Sequence, residues 1–398
     1  MNLKKVIIYT SEPFPQGMAA TNRIISYAKG FLHNKKDVQI ICFRKTDNYL
    51  QVVNKKIEGS YEGIPYKYLY QETFRSKTFI KRRLDNFSGY TKLFLFAINN
   101  NSKSTLSIYY SSFSLPAIIL FLVKVIKGSV LLKEESEHPS VYLKEKRGIS
   151  KLFFKHIHYR LFNGYLLMTN HLMNLFKEMS PKNKPMLLVP MTIDSDRFLN
   201  LSKKENNKSI IYTGIIDCKK DGLDILIEAF GIISKKYPEY KLELYGSASS
   251  ASEQLKLNKL VSQLNLDNKV IFHGQVNREI ISQKILDAKI LILPRPNSIQ
   301  AQNGFPTKLG EYLATGNPVI ATSVGEIPLY LTNNVNSFLV KPGNINELSD
   351  KINYVIENYT HAKLISKKGQ ELTKSVFNNI IQTEKINIFF EETFYKIA

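Results

Sequence analysis

The chain has no tryptophan and only two cysteines, Cys42 and Cys218. These lie far apart, outside any CxxC or Cys/His cluster. A disulfide scaffold and a structural zinc are therefore disfavoured, and a reducing compartment is expected. Long apolar runs are missing too. The nearest, Leu115 to Leu132, is interrupted by Lys124, Lys127 and Gly128, short of the roughly 20 apolar residues a spanning helix needs. It reads as a buried helix followed by a strand. The opening MNLKKVIIYTSEPF is soon broken by Tyr9, Thr10 and Glu12, and reads as a first strand instead of a signal peptide.

Acidic side chains are scarce: 34 Asp and Glu stand against 55 Lys and Arg. The imbalance is local. Residues 1–200 carry 31 basic and 14 acidic side chains, residues 201–398 carry 24 and 20. So one-sided a field draws anionic membranes, anionic lipids or nucleic acid. No nucleic-acid motif accompanies the charge, so that partner is not expected. The segment Phe74 to Ala97 interleaves Arg75, Lys77, Lys81, Arg82, Arg83 and Lys92 with aromatics. Two readings stay open for it: a helix at a membrane surface, or a packed helix with a solvated face.

What is present is a repeating α/β pattern. A 398-residue chain that is 43% hydrophobic can bury two ordinary cores. Strand-length apolar runs (KKVIIYT, DVQIICF, STLSIYY, SVLLKEE, GYLLMT, PMLLVP) alternate with helical patterns at Ala19–His33, Phe79–Ala97, Pro116–Lys127 and Ile149–Phe162. The second half repeats this with SIIYTG, KLELYG, KVIFHG, AKILILP, NPVIATS and SFLVKP. Helices are expected there near Leu223–Lys236, Ala251–Gln263, Glu279–Ala288, Thr307–Ala314 and Glu347–Asn358. Such alternation predicts doubly wound parallel sheets. The polar stretch Asn200 to Ser209 is the expected linker. Domains are thus expected at 1–200 and 201–376, with a C-terminal helix in 377–398 packing back on the first. Ligands bind outside the carboxyl ends of strands in such sheets, which places one in a cleft between two facing domains.

The most informative stretch is QNGFPTKLGEYLATGNPVIA, Gln302 to Ala321. NSIQAQNGF reads as a loop, Pro306 suits a first helical turn, and Gly316 ends the helix. Free amides after Phe305 and the helix dipole favour a phosphate there. Lys308 adds a point charge, and Glu311, three residues on, shares its face. A carboxylate one turn past a phosphate suits ribose hydroxyls. The bland reading is a capped helix with a solvent ion pair. In the next motif, Leu223, Leu226, Ile227 and Phe230 form a core face, with Asp221 as the expected N-cap.

GFPTKLGEYLATGNPVIAT resembles the donor-binding signature of glycosyltransferase family 4 (glycosyl transferases group 1), retaining enzymes of the GT-B fold. YTGIIDCKKDGLDILIEAF, LVPMTIDSDRF and SEPFPQGMAATNRIISYAKGF resemble further family segments; residues 45–130 match diffusely. The resemblance implies two Rossmann-like domains, the first on the acceptor side and the second binding the nucleotide sugar. It implies transfer of a hexosyl residue from a nucleotide-diphosphate sugar to a glycan or lipid-linked acceptor, with no metal or other cofactor. Surface polysaccharide synthesis in the cytoplasm, peripheral to the inner face of the membrane, is the setting it implies.

By the same resemblance Glu311 binds ribose, and Asn303 replaces the first glutamate of an E-x7-E motif. An amide both donates and accepts hydrogen bonds, so sugar contact can survive without charge. Gly304, Phe305, Pro306, Thr307 and Lys308 face the donor phosphates. The usual Arg after Gly214 is Ile215 here, so Arg295 is the candidate guanidinium, with Lys219 or Lys220 as the clamping lysine. Gly17 borders the donor, Arg23 is expected to face the cleft, and His138 is the candidate catalytic histidine at the transferring sugar. Glu134, Glu135 and Glu137 are more often solvated than binding in such a loop. Asp194-Ser195-Asp196 imitates a metal-binding DxD but sits in a turn-and-cap context. Rival readings are a nucleotide-sugar epimerase of the same architecture, a basic binding protein, and a non-catalytic scaffold subunit.

Overall fold

The structure is a computed structural model that describes residues 2–50, 52–181, 183–204 and 207–395. The chain forms two compact units: residues 1–192 with 379–398, and residues 193–378.

The first unit is built on β1 (Lys5–Thr10), β2 (Asp37–Cys42), β3 (Glu58–Tyr61), β4 (Ile64–Tyr68), β5 (Thr105–Tyr110), β6 (Val130–Glu135), β7 (Gly164–Leu167) and β8 (Met186–Leu188). Their order is β3-β4-β2-β1-β5-β6-β7-β8. All pairings are parallel except the β3–β4 hairpin at the edge. That hairpin escaped the sequence reading because EGSY and IPYKY are short and half polar. Helices α1 (Ala19–His33), α2 (Phe79–Asn100), α3 (Ser114–Lys127), α4 (Pro139–Glu145), α5 (Gly148–His156) and α6 (Asn170–Met179) connect the strands. The helix expected over Ile149–Phe162 is two pieces, α5 and a 3-10 turn at His158–Leu161. Nor is α3 simply buried: Leu115, Leu122, Val125 and Ile126 are exposed, while Ala117, Leu120 and Val123 face the core.

The second unit has β9 (Ser209–Thr213), β10 (Lys241–Tyr245), β11 (Val270–Gly274), β12 (Ile290–Leu293), β13 (Val319–Thr322) and β14 (Phe338–Val340). Their order is β11-β10-β9-β12-β13-β14, parallel throughout. The strands are nearly continuous apolar runs because helices cover both faces. These helices are α7 (Cys218–Asp221), α8 (Leu223–Lys236), α9 (Ala251–Gln263), α10 (Arg278–Asp287), α11 (Ile299–Asn303), α12 (Thr307–Ala314), α13 (Ile327–Tyr330), α14 (Ile345–Glu357) and α15 (Tyr359–Lys374). Where NSIQAQNGF was expected to be a loop, residues 299–303 are helical. Ser298 caps them, its hydroxyl accepting from the Ala301 amide at 3.2 Å.

The boundary between units falls at 192–193, before the polar stretch. Residues 193–204 are held by the second unit: Ile193 N donates to Phe377 O and Lys204 N to Asp287 Oδ1. Residues 205–206 of the expected linker lie outside the described residues. The last helix, α16 (Asn379–Phe394), returns to the first unit and packs on α1. Gly30 makes this possible, since a Cβ there would overlap Asn379 O and Thr383 Oγ1. Asn34 Nδ2 donates to Ile380 O at 3.1 Å, and Asn379 Nδ2 to Ser26 O at 3.1 Å. No described helix is long and apolar enough to cross a membrane.

Candidate functional site

In the second sheet the strand order reverses between β9 and β12. The loops leaving their carboxyl ends therefore diverge and leave a crevice, where ligands of such sheets bind. The β9 loop carries Gly214 and then α7, whose start is capped by Asp217: Oδ1 accepts from Lys220 N at 2.7 Å. Asp221 is not the N-cap of α8. It ends α7, and Gly222, left-handed at φ 70°, starts the next helix. Asp221 turns inward and is buried.

This corrected placement organises the site. Lys308 Nζ lies 3.1 Å from Asp221 Oδ2 and 2.8 Å from the Tyr212 hydroxyl. Arg295 Nε approaches Asp221 Oδ1 at 3.6 Å, and Tyr212 donates to Asp221 Oδ2 at 2.8 Å. Burial penalises the Asp221 charge, but Lys308 and then Arg295 outweigh it and hold the carboxyl below its ordinary range. Burial likewise lowers the Lys308 ammonium, which Asp221 partly offsets and Arg295 and Lys220 push further down. Lys220 is half-buried and its charge acts on Lys308, whereas Lys219 is exposed. Gly214 (φ 138°) is required here: a Cβ would overlap the Lys308 ammonium.

One turn along α12, Glu311 is buried and bound by Arg197, Nη1 to Oε1 at 2.8 Å. Arg197 is itself steadied by Ser282, whose hydroxyl accepts from Nη2 at 2.6 Å and Nε at 3.0 Å. The sequence reading missed Arg197 altogether. DSDRF stands out locally for its paired aspartates, and nothing in local spacing links position 197 to position 311. Tyr312 fixes the helix against the sheet by accepting from Thr213 N at 2.7 Å.

The remaining residues of the signature divide. Asn303 is buried at the end of α11, and Gly304 follows it in extended backbone. The Phe305 ring packs edge-on against Tyr330, with centroids 5.4 Å apart, and near Phe377 at 5.7 Å. Its side chain is committed to packing, which leaves only its backbone for a ligand. Pro306 precedes the helix instead of occupying its first turn. The amides of Thr307 and Lys308, at the start of α12, take no protein acceptor among the described residues.

In the first unit the strand order reverses between β1 and β5, whose following loops meet through Ser11 Oγ and Ser111 Oγ at 2.9 Å. Gly17 is exposed in the β1 loop, close to Thr21. Arg23 does not face an opening. It is fully buried, Nε to Glu134 Oε1 at 2.6 Å, with Nη1 and Nη2 donating to Pro190 O and Val189 O. Glu134 and Glu135 are accordingly not solvated acids: they belong to β6, and Glu135 pairs with buried Lys133 at 3.1 Å. His138 caps α4, its Nδ1 accepting from Ser140 N at 3.2 Å. Burial and neighbouring His171 lower its pKa and so favour the neutral ring; with Nδ1 accepting from Ser140 N, the proton is assigned to Nε2.

Asp194 of the DxD-like triplet is buried, with Arg278 Nη2 at 3.9 Å. Among the described residues no group of three or more His, Cys, Asp or Glu is arranged to hold a metal ion.

Residues 195–372 match the family model described as "Glycosyl transferases group 1". An uncharacterized glycosyltransferase of Haemophilus influenzae is 27% identical over 160 residues, 40% of this chain and 42% of that protein. The chain thus spans less than half the length of the curated relatives it first matches. Among solved structures, sucrose-phosphate synthase from Thermosynechococcus elongatus has a TM-score of 0.74 at 15% identity, covering 98% of this chain and 99% of that one. The Anabaena protein HepE in complex with UDP-glucose has a TM-score of 0.73 at 15% identity, with 98% and 99% covered. These likenesses establish the fold class: α/β, with two Rossmann-like doubly wound domains of the GT-B type.

Proposed function

We propose that this chain, whose residues 195–372 belong to glycosyl transferases group 1, moves a hexosyl residue from a nucleotide-diphosphate sugar to a hydroxyl of a glycan or lipid-linked acceptor. Within that group we place it in family 4, acting with retention in surface polysaccharide assembly. The observation that carries the reading is the convergence of Lys308 and Arg295 on Asp221 at the β9/β12 switch point, one turn from Glu311.

The chemistry follows from charge. When the glycosidic bond to the diphosphate breaks, negative charge accumulates on the departing phosphate oxygens. Lys308, Arg295 and Lys220 stand ready to neutralise it in a site of low dielectric. Asp221 keeps Lys308 and Arg295 together before the donor arrives. The departing phosphate then accepts the acceptor hydroxyl's proton on the same face, so no separate base is needed. Glu311, released by or shared with Arg197, accepts hydrogen bonds from the ribose. Asn303 contacts the donor sugar, and His138 is, by the family resemblance, the proposed catalytic histidine. No metal is assigned a part.

The test is transfer of labelled sugar from a panel of nucleotide sugars, after a thermal-shift screen for the donor that stabilises the fold. Wild-type transfer that falls at least tenfold in Glu311→Ala supports the assignment. Full activity in that variant removes Glu311 from the site. Epimerised donor in reactions without acceptor would instead identify an epimerase.

A further inference from the structure

The unequal charge of the first unit has a focus. Arg44, Lys45, Arg75, Arg82, Arg83 and Asp85 line a cavity of about 200 Å³ at the root of α2. Lys45 is balanced there, by Glu72 at 3.0 Å and Asp85 at 3.1 Å. Asp85 also accepts from the Ser76 hydroxyl at 2.6 Å. The four guanidinium groups have no carboxylate within ion-pair distance among the described residues. Arg44 is half-buried, its guanidinium 3.9 Å above the Phe113 ring. Arg75 is held by backbone, its Nε donating to Lys45 O at 3.3 Å. Burial and the neighbouring Arg75 charge lower the Arg44 pKa. Asp85 is the one carboxylate in that lining and Glu12 interacts with Arg75 from nearby, so positive charge still exceeds its counter-ions, and an added anion relieves the excess. Planar guanidinium forks match the oxygens of phosphate.

Beside the cavity the first half of α2 is unusually bare. Phe79, Ile80, Leu84 and Phe87 are 62%, 72%, 65% and 71% exposed, with Lys81, Arg82 and Arg83 exposed among them. Helix α3, which packs on α2, adds exposed Leu122, Val125 and Ile126. A cavity for a soluble anion needs no such apolar rim, whereas an interfacial helix needs both components. No described helix can span a bilayer, so contact would be peripheral.

We propose that this cavity takes the phosphate of an anionic phospholipid headgroup, and that the exposed apolar side chains of α2 enter the interfacial layer beside it. The inference goes beyond sugar transfer, and its readout uses no sugar.

The experiment is flotation of the full chain with vesicles of phosphatidylcholine alone, and with about one-third phosphatidylglycerol. Wild type is expected to float only with the second. Arg82→Ala/Arg83→Ala should weaken that partition about thirtyfold, from roughly 1 kcal/mol per basic residue near the surface. Leu84→Ser/Phe87→Ser should leave weaker binding that added salt abolishes. All four side chains are exposed, so melting temperatures should match wild type. Three outcomes overturn the proposal: no preference for anionic vesicles, binding that neither pair alters, or release by soluble polyphosphate with Leu84→Ser/Phe87→Ser behaving as wild type. The last assigns the cavity to a soluble polyanion. Donor-induced thermal stabilisation, measured on the same samples, reports on the sugar-transfer reading separately.

Discussion

Asp221 Oδ2 stands 3.1 Å from the Lys308 ammonium while Arg295 Nε lies 3.6 Å from its other carboxyl oxygen. One buried carboxylate thus holds two cations that would otherwise repel each other. It links the loop after β9, the loop after β12 and the start of α12, the three segments of the candidate donor site.

Removing that carboxylate should therefore cost stability as well as function. Asp221→Asn is expected to lose about 3 kcal/mol at neutral pH, since it leaves buried cations uncompensated. The native carboxyl titrates below its unfolded value, so its contribution is complete above about pH 4 and fades as pH falls through the native pKa. Urea unfolding at pH 7 and at acid pH should show the gap between variant and wild type narrowing on acidification. A gap that stays constant would contradict the coupling.

Arg197 and Glu311 provide a second measurement. Arg197→Ala should weaken donor binding as Glu311→Ala does, each by about tenfold, the value of one charged hydrogen bond. A double-mutant cycle on donor affinity should show strong non-additivity, because Arg197 acts by aiming Glu311. Additive losses would mean that Arg197 and Glu311 act independently.

The family resemblance sets Asn303 in place of a first glutamate, and the residue is buried at the end of α11. Asn303→Ala is expected to change the relative rates with different donor sugars by more than about fivefold, on the scale of one neutral hydrogen bond. Unchanged selectivity and rate would reduce it to a helix-end residue.

His158 gives the first unit an acid-sensitive point. It is wholly buried, stacks on Phe154 at 4.7 Å, and neither ring nitrogen has a hydrogen-bond partner among the described residues. Burial, with Lys133 and Lys146 nearby, drives its pKa well down. Folding therefore favours the neutral ring: stability is complete above about pH 6.5 and declines as pH drops towards the native pKa. His158→Phe should flatten the fall in urea midpoint between pH 7 and pH 5. An unaltered slope would place the acid sensitivity elsewhere.

Several elements were legible because their signals are local. The apolar faces of α1, α8, α9 and α12 gave their bounds without correction, since periodic burial lies within one segment. Lys308 and Glu311 stood out by type and by spacing at the start of α12, and Arg295 by its place just after a strand. The edge hairpin, α6 and α15 were missed, as polar or short segments whose stability comes from neighbours far along the chain.

By itself the sequence determined the parallel α/β layering, the basic bias of the first half, and the bounds of α12, all properties of residue type and spacing. Tertiary structure alone decided the partners. It buried Arg23 on Glu134 where an open cleft was expected, turned Asp221 from a presumed cap into the counter-ion of Lys308, and brought Arg197 to Glu311 across 114 positions. Charge pairing in a low dielectric depends on a few ångströms of separation, and the strand order that sets those distances is not written in any local pattern.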